Sequence, residues 1–118
     1  MTTFAWPYGD VTVAAKAVVA DRFDLGRGVR DGVNAGSADR GNVQAIGLES
    51  RRLPGYELEG LMADAAARRG WLVAYGHDVM DAPTPYGCTA ADLDRVIRLA
   101  KAANLEILPV GQAWARMH

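Results

Sequence analysis

The stretch Trp71-Leu72-Val73-Ala74-Tyr75-Gly76-His77-Asp78-Val79-Met80-Asp81-Ala82-Pro83-Thr84-Pro85-Tyr86-Gly87-Cys88, with Thr89-Ala90-Ala91-Asp92 behind it, decides how the chain is read. Its opening apolar run predicts a buried strand over 71–76. A polar loop follows, with the ionisable pair His77-Asp78 at its mouth and two prolines stiffening its middle. Thr89 and Asp92 have the spacing of a capping box, with Asp in the place of the usual Glu. Strand, loop and helix in this order form the repeating unit of α/β folds. Ligands gather at the carboxyl ends of their parallel strands, where loops are free to carry chemistry. His77 stands at such an end, and it is one of two histidines, the other being His118.

Downstream, Leu93, Val96, Ile97 and Ala100 mark the buried face of a helix. Asp94 and Arg98 are spaced as a favourable pair on its outer side, and Asn104 stops it. Residues 105–108 read as a strand ended by Pro109, and 112–117 as a last helix. Upstream, Pro54 opens a helix whose buried face is Leu58, Leu61, Met62, Ala65 and Ala66. Arg68 and Arg69 suit its carboxyl end, and Gly70 is placed to end it in a left-handed conformation. Residues 3–6 read as a short strand cut by Pro7. Asp10 caps a helix over residues 11–20, with Val11, Ala14, Ala15, Val18 and Val19 on one face. Residues 25–29 form a weak strand softened by Gly26 and Gly28. Residues 30–52 are the least legible: Gly32, Asn34, Gly36 and Ser37 make a loop, and 39–48 is open between a helix and a strand. The alternation predicts an α/β fold, a parallel sheet with covering helices. Four strands with short helices cover such a sheet only in part, so the chain reads as a piece of a larger barrel or sheet.

The 118 residues suffice for one domain with one core. Half are hydrophobic, 23% are charged and the net charge is −1, which is a globular profile. No basic stripe argues for nucleic acid. No apolar run reaches membrane-spanning length, so no membrane association is expected. Met1-Thr2-Thr3-Phe4-Ala5-Trp6-Pro7 lacks the features of a signal peptide, and a cytoplasmic location is expected. The single cysteine, Cys88, excludes an intrachain disulfide and reads as a small loop residue rather than a nucleophile.

Several residues carry a functional and a structural reading side by side. Histidine as a residue type can give or take a proton during a reaction, so His77 can move a proton, or it can simply hold its loop. Asp78 can orient His77, but neighbours on a strand point to opposite faces, which favours a turn role. Asp81 and His77 are too few for a metal site, and no metal is expected on this chain alone. Trp6-Pro7-Tyr8-Gly9 shares the strand-end rim, either as the wall of a sugar groove or as a plug. Gly26, Gly28 and Gly32 fail the dinucleotide spacing, since Asp31 stands where the third glycine belongs.

These residues resemble a known family. Phe4-Ala5-Trp6-Pro7-Tyr8-Gly9 is similar to the third motif of polysaccharide deacetylases of the NodB-homology type, carbohydrate esterase family four. The run 70–79 with Pro83-Thr84-Pro85-Tyr86-Gly87-Cys88 resembles the family's final motif. Asp24 to Gly36, with Arg27-Gly28-Val29-Arg30 and Gly32-Val33-Asn34, looks like the stretch between the two in one bacterial branch. The resemblance covers essentially the whole chain. It implies a partial distorted (β/α) barrel with parallel strands and covering helices, and hydrolysis of acetyl groups from carbohydrate. In the family a divalent metal such as zinc activates water and an aspartate acts as base. By the resemblance, the last-motif histidine, which protonates the leaving amine or alcohol, is His77. The backbone N–H of Tyr8 matches an oxyanion donor. Trp6, Pro7 and Gly9 match the groove wall, with Asp78 and Tyr86 beside the substrate.

Two departures matter. Ala5 stands where many members carry an arginine. The Asp-Asp pair and the paired-histidine helix that supply base and metal ligands are absent, so the chain reads as the C-terminal part of such a domain, truncated or split. The expected partners are a carbohydrate substrate and either a missing N-terminal half or a second copy. The alternative is a non-catalytic glycan-binding or scaffold half-barrel that grips sugars with Trp6 and Tyr86.

Overall fold

The computed structural model describes residues 2–118. In chain order the elements are strand β1 (Thr3–Ala5), helix α1 (Val13–Ala20), strands β2 (Leu25–Arg27) and β3 (Ile46–Gly47), helix α2 (Leu58–Ala67), strand β4 (Ala74–Tyr75) and helices α3 (Ala90–Ala102) and α4 (Val110–Met117). Two 3₁₀ turns, Pro7–Gly9 and Leu53–Gly55, follow β1 and precede α2. The fold is mixed α/β with short parallel strands.

β1 pairs with β2, placing Thr3 opposite Leu25 and Ala5 opposite Arg27; β3 pairs with β4, placing Gly47 opposite Tyr75. The two pairs are joined. Val43 N–H donates to Gly26 O, Gly28 N–H to Val43 O and Ala45 N–H to Arg30 O, each at 2.9 Å. Four parallel lines therefore lie side by side in chain order. The segment that the sequence left open between helix and strand is the third of them. It has to be extended, because Val43 and Ala45 face one core while Ile46 and Leu48 face the other. With both faces covered, the part over 45–48 reads as continuously apolar rather than alternating.

On one face Ile46 and Leu48 pack with Leu58 and Met62 of α2, Val96 and Ala100 of α3, and Cys88. On the other, Leu25, Val43, Ala45 and Val73 pack under Val110 and Trp114 of α4. The Trp114 ring lies 6.3 Å from that of Trp71, just before β4. At its other end α4 meets β1, where a Cβ on Gly111 would come within 2.9 Å of Thr2 Oγ1 and 3.4 Å of Thr3 Cγ2. This helix thus reaches from Trp71, just before β4, to Thr2 and Thr3 at β1. Among the described residues the outer edges of β1 and β4 stay unpaired, and no closed barrel forms.

The helix ends follow their capping chemistry. Thr89 accepts from Asp92 N–H while Asp92 accepts from Thr89 N–H, the expected reciprocal box. Asn104 (φ 57°) ends α3, and Leu105 N–H returns to Ala100 O at 3.0 Å, a Schellman turn. Four expectations need correction. Thr12, not Asp10, caps α1, because Asp10 N–H closes the preceding turn onto Pro7 O. Pro54 sits in the 3₁₀ turn, and α2 starts at Leu58. Arg69 (φ 50°), not Gly70, takes the left-handed position after α2. Gly70 instead serves close approach, since a Cβ there would lie 2.8 Å from Asn34 O. Residues 105–108 form no strand: they line an apolar cavity of about 370 Å³ whose opposite wall includes Leu72 and Ala74, on the free edge of β4.

Candidate functional site

Because the strands are parallel, their carboxyl ends share one rim. It carries Trp6 to Gly9 after β1, Arg27 at the end of β2, Glu49 to Arg52 after β3 and His77 after β4. Side chains alternate along a strand, so Glu49, Tyr75 and His77 continue the face of Val43, Ala45 and Val73.

His77 is exposed, and among the described residues nothing hydrogen-bonds its ring. Its centroid lies 6.3 Å from Tyr75 and 6.1 Å from Tyr86, and the Arg51 guanidinium covers Tyr86 at 4.4 Å. The structure therefore brings together two expected residues, His77 and Tyr86. Tyr8 is fully exposed and left-handed, with φ 54°, a conformation that costs a non-glycine residue about 1–2 kcal/mol. The turn around it is held by Gly9 N–H to Trp6 O at 3.0 Å and Asp10 N–H to Pro7 O at 3.1 Å. Gly9 (φ 73°) is required twice, since a Cβ would also land 2.3 Å from Val29 Cγ2. Pro7 is exposed beside Tyr8. Three inter-strand steps separate this turn from His77, about 14 Å along the sheet.

Two expected residues are engaged elsewhere. Trp6 is 6% exposed, packs edge-on against Phe4 and donates Nε1–H to Gly41 O at 2.8 Å. Of the two roles open in the sequence it fills the plug, with no ring face left for a sugar. Asp78 accepts from Thr84 Oγ1–H at 2.7 Å and Thr84 N–H at 2.9 Å. Those two bonds hold its carboxyl below the ordinary aspartate range. Cys88 N–H closes the loop onto Asp78 O, and a Cβ on Gly87 would strike the Asp78 carboxylate at 2.3–2.4 Å. Asp78 is the staple of the 78–88 loop, the structural role expected from strand alternation.

The sequence reading missed a polar network below His77. Glu49 is 2% exposed and accepts from Arg51 Nε–H at 2.7 Å. Arg52 donates to Tyr75 Oη at 2.7 Å and pairs with Asp31. Tyr56 donates to Asp31 at 2.7 Å and accepts from Gly47 N–H at 3.2 Å. Burial, and then the bond to Asp31, push the Tyr56 hydroxyl up to about 12. Gly47 makes the room: a Cβ there would sit 3.0 Å from Tyr75 Oη and 3.1 Å from both Arg52 Nη1 and Glu49 Cδ. One signal was available, because Glu49 ends the apolar run 45–48 as His77 ends 71–75. Beside this network, Arg27 stacks over the Tyr75 ring at 4.5 Å.

No family model, no curated protein and no solved structure matches this chain. The residues present do not fit a metal ion. Among the described residues no three His, Cys, Asp or Glu side chains gather to hold one, and both Asp78 oxygens are engaged by Thr84. The 370 Å³ cavity lies away from the rim and none of its lining residues is a candidate for chemistry at His77. No described helix is long and apolar enough to cross a membrane.

Proposed function

We propose that this protein is polysaccharide-deacetylase-like: its strand-end rim binds a glycan, and His77 donates a proton to the sugar amine or alcohol released on deacetylation. The four-strand sheet is then part of a distorted (β/α) barrel. One observation carries the reading. His77 is an exposed imidazole at the carboxyl end of a parallel strand, without a hydrogen bond to its ring among the described residues and flanked by Tyr75 and Tyr86. An imidazole so placed is within reach of a bound sugar and can give or take a proton there. Tyr8 N–H, in its left-handed turn, is the oxyanion donor of this proposal. With about 14 Å between the two along the sheet, both meet one sugar only when the sheet curls toward a barrel. The base and the divalent metal implied by the resemblance have no ligands here, so no metal step is assigned to this chain. A partner polypeptide carrying those groups supplies that chemistry.

A second reading is favoured by a specific feature. Arg51, Tyr86 and His77 make a sugar-binding platform that needs no metal, so the chain alone acts as a glycan-binding module. NMR titration with oligomers of N-acetylhexosamine, beside acetate-release assays with zinc, tests both readings. His77 and Tyr86 signals are expected to shift in the wild type, the affinity to fall in His77→Ala, and the isolated chain to release no acetate. Unmoved signals at millimolar glycan would overturn glycan binding. Zinc-dependent acetate release by this chain alone would overturn the assignment of the metal chemistry to a partner.

A further inference from the structure

Three arginines converge near His77, and two are neutralised within the chain: Arg51 by Glu49 and Arg52 by Asp31. Arg27 is not. Its guanidinium is partly buried over the Tyr75 ring, and its one hydrogen bond among the described residues goes to the backbone of Gly28, Nη1 to O at 3.2 Å. No described carboxylate comes within ion-pair reach of it. The ring beneath it is immobilised, because Tyr75 Oη accepts from Arg52. Tyr75 and His77 lie two residues apart on one strand line, their rings 6.3 Å apart. A charge removed from water without a counter-charge is unfavourable, and a guanidinium presents N–H groups in a planar fork that matches a carboxylate.

We propose that Arg27 is an anion-binding residue and that the glycan received at this rim is acidic, with a sugar carboxylate on Arg27 while the neighbouring ring lies against His77. The inference rests on the glycan reading above. The shared chemistry is an oxyanion. A planar, singly charged carboxylate matches the edge of one guanidinium, and a phosphate ester is the other source to be distinguished.

The test is NMR titration of the 118-residue protein, following Arg27 Nε–H and the His77 ring. The probes are an oligomer of hexuronic acid, a neutral N-acetylhexosamine oligomer of equal length, a sugar phosphate, and acetate alone. The uronate oligomer is expected to bind at least about ten-fold more tightly than the neutral one, the scale of one charge-assisted hydrogen bond. Arg27→Gln should erase that ratio, and Arg27→Lys, which keeps the charge and loses the fork, should retain part of it. Arg30→Gln changes an exposed neighbouring charge and should leave the ratio intact. Equal binding of acidic and neutral oligomers would overturn the inference and leave the glycan reading standing. Tighter binding of the sugar phosphate would overturn the carboxylate assignment. If no oligomer binds but acetate moves Arg27 Nε–H, the glycan reading falls and the anion site stands. If no probe moves Arg27, the inference falls. Should Arg27→Gln not fold, the wild-type ratio and the Arg27 signal decide the matter without it.

Discussion

Replacing Asn34 with alanine is expected to destabilise the protein far more than the position of this residue in a glycine-rich loop suggests. Asn34 is 5% exposed. Its Nδ2–H donates to Gln44 O at 2.9 Å and its Oδ1 accepts from Gln44 N–H at 2.8 Å, so one side chain mimics a strand partner for Gln44. Its backbone meanwhile pairs with Trp71, N–H to O at 2.9 Å and O from N–H at 2.7 Å. Asn34 thereby ties the third strand line to the start of the fourth. Alanine removes three side-chain hydrogen bonds, the third a 3.3 Å bond from Nδ2–H to Trp71 O, which the Asn34 backbone N–H also serves; it strands the two Gln44 backbone groups, for a total of about 2–4 kcal/mol. Unfolding entropy of about 2.1 cal/mol/K per residue comes to about 0.25 kcal/mol/K for this chain, so Tm should fall by about 8–16 °C. Thermal melting followed by circular dichroism reads the shift. Gln44→Ala is the control, because it spares the backbone groups that Asn34 holds and removes only an exposed bond from Nε2 to Asp31 O. An Asn34→Ala melt within about 3 °C of wild type would refute the clamp. So would an equal loss in Gln44→Ala.

Two further outcomes follow from the 78–88 loop. Cys88 is 1% exposed and burial pushes its thiol above the ordinary range; the native protein should react with a thiol reagent only after denaturant is added, and rapid native labelling would contradict this. Asp78 has its carboxyl depressed by Thr84, so the contribution of this contact is present above the ordinary carboxyl value of about 3.9 and is lost as pH falls through the lower folded value. The Thr84 amide resonance should therefore titrate with a midpoint below that value in the wild type and lose the transition in Asp78→Asn; a midpoint at or above it would be inconsistent with the staple.

The sequence was most legible where local chemistry acts alone. The capping box of α3, its stop at Asn104 and the pair Asp94–Arg98, 2.8 Å apart, are set by residues within one turn of each other. The strand before His77 was legible in its place but not in its extent: of the run 71–76 only Ala74–Tyr75 pairs as β4, with Ala74 exposed and Tyr75 half-buried. Residues 30–52 were illegible because their partners are distant. Asn34 looks like a turn residue until Gln44 and Trp71 are seen on either side of it, and Arg27 has no meaning until Tyr75 lies beneath it. Residues 105–108 have strand composition, but composition supplies no partner; α4 begins at Val110, and a cavity faces the free edge of β4. On the rim, Trp6 could not be told from a groove wall, because its hydrogen bond reaches Gly41 across 35 residues.

One face of the sheet explains why charged and aromatic side chains collect at a single end. From Leu25 the second strand steps to Arg27. From Val43 and Ala45 the third steps through Gly47 to Glu49, and from Val73 the fourth steps through Tyr75 to His77. In these three lines the same face passes from apolar to polar in moves of two residues, the period that keeps side chains on one side; β1 differs, with Thr3 and Ala5 in register with Leu25 and Arg27. The apolar half is the half that α4 covers with Val110 and Trp114. At the polar half, the one residue without a side chain, Gly47, sits where Tyr75, Arg52 and Glu49 converge. A bulkier residue at 47 would push these groups apart and release the Tyr75 ring on which Arg27 rests. The helix thus covers the apolar half of this face, and the strand ends beyond it carry the charged and aromatic groups of the rim.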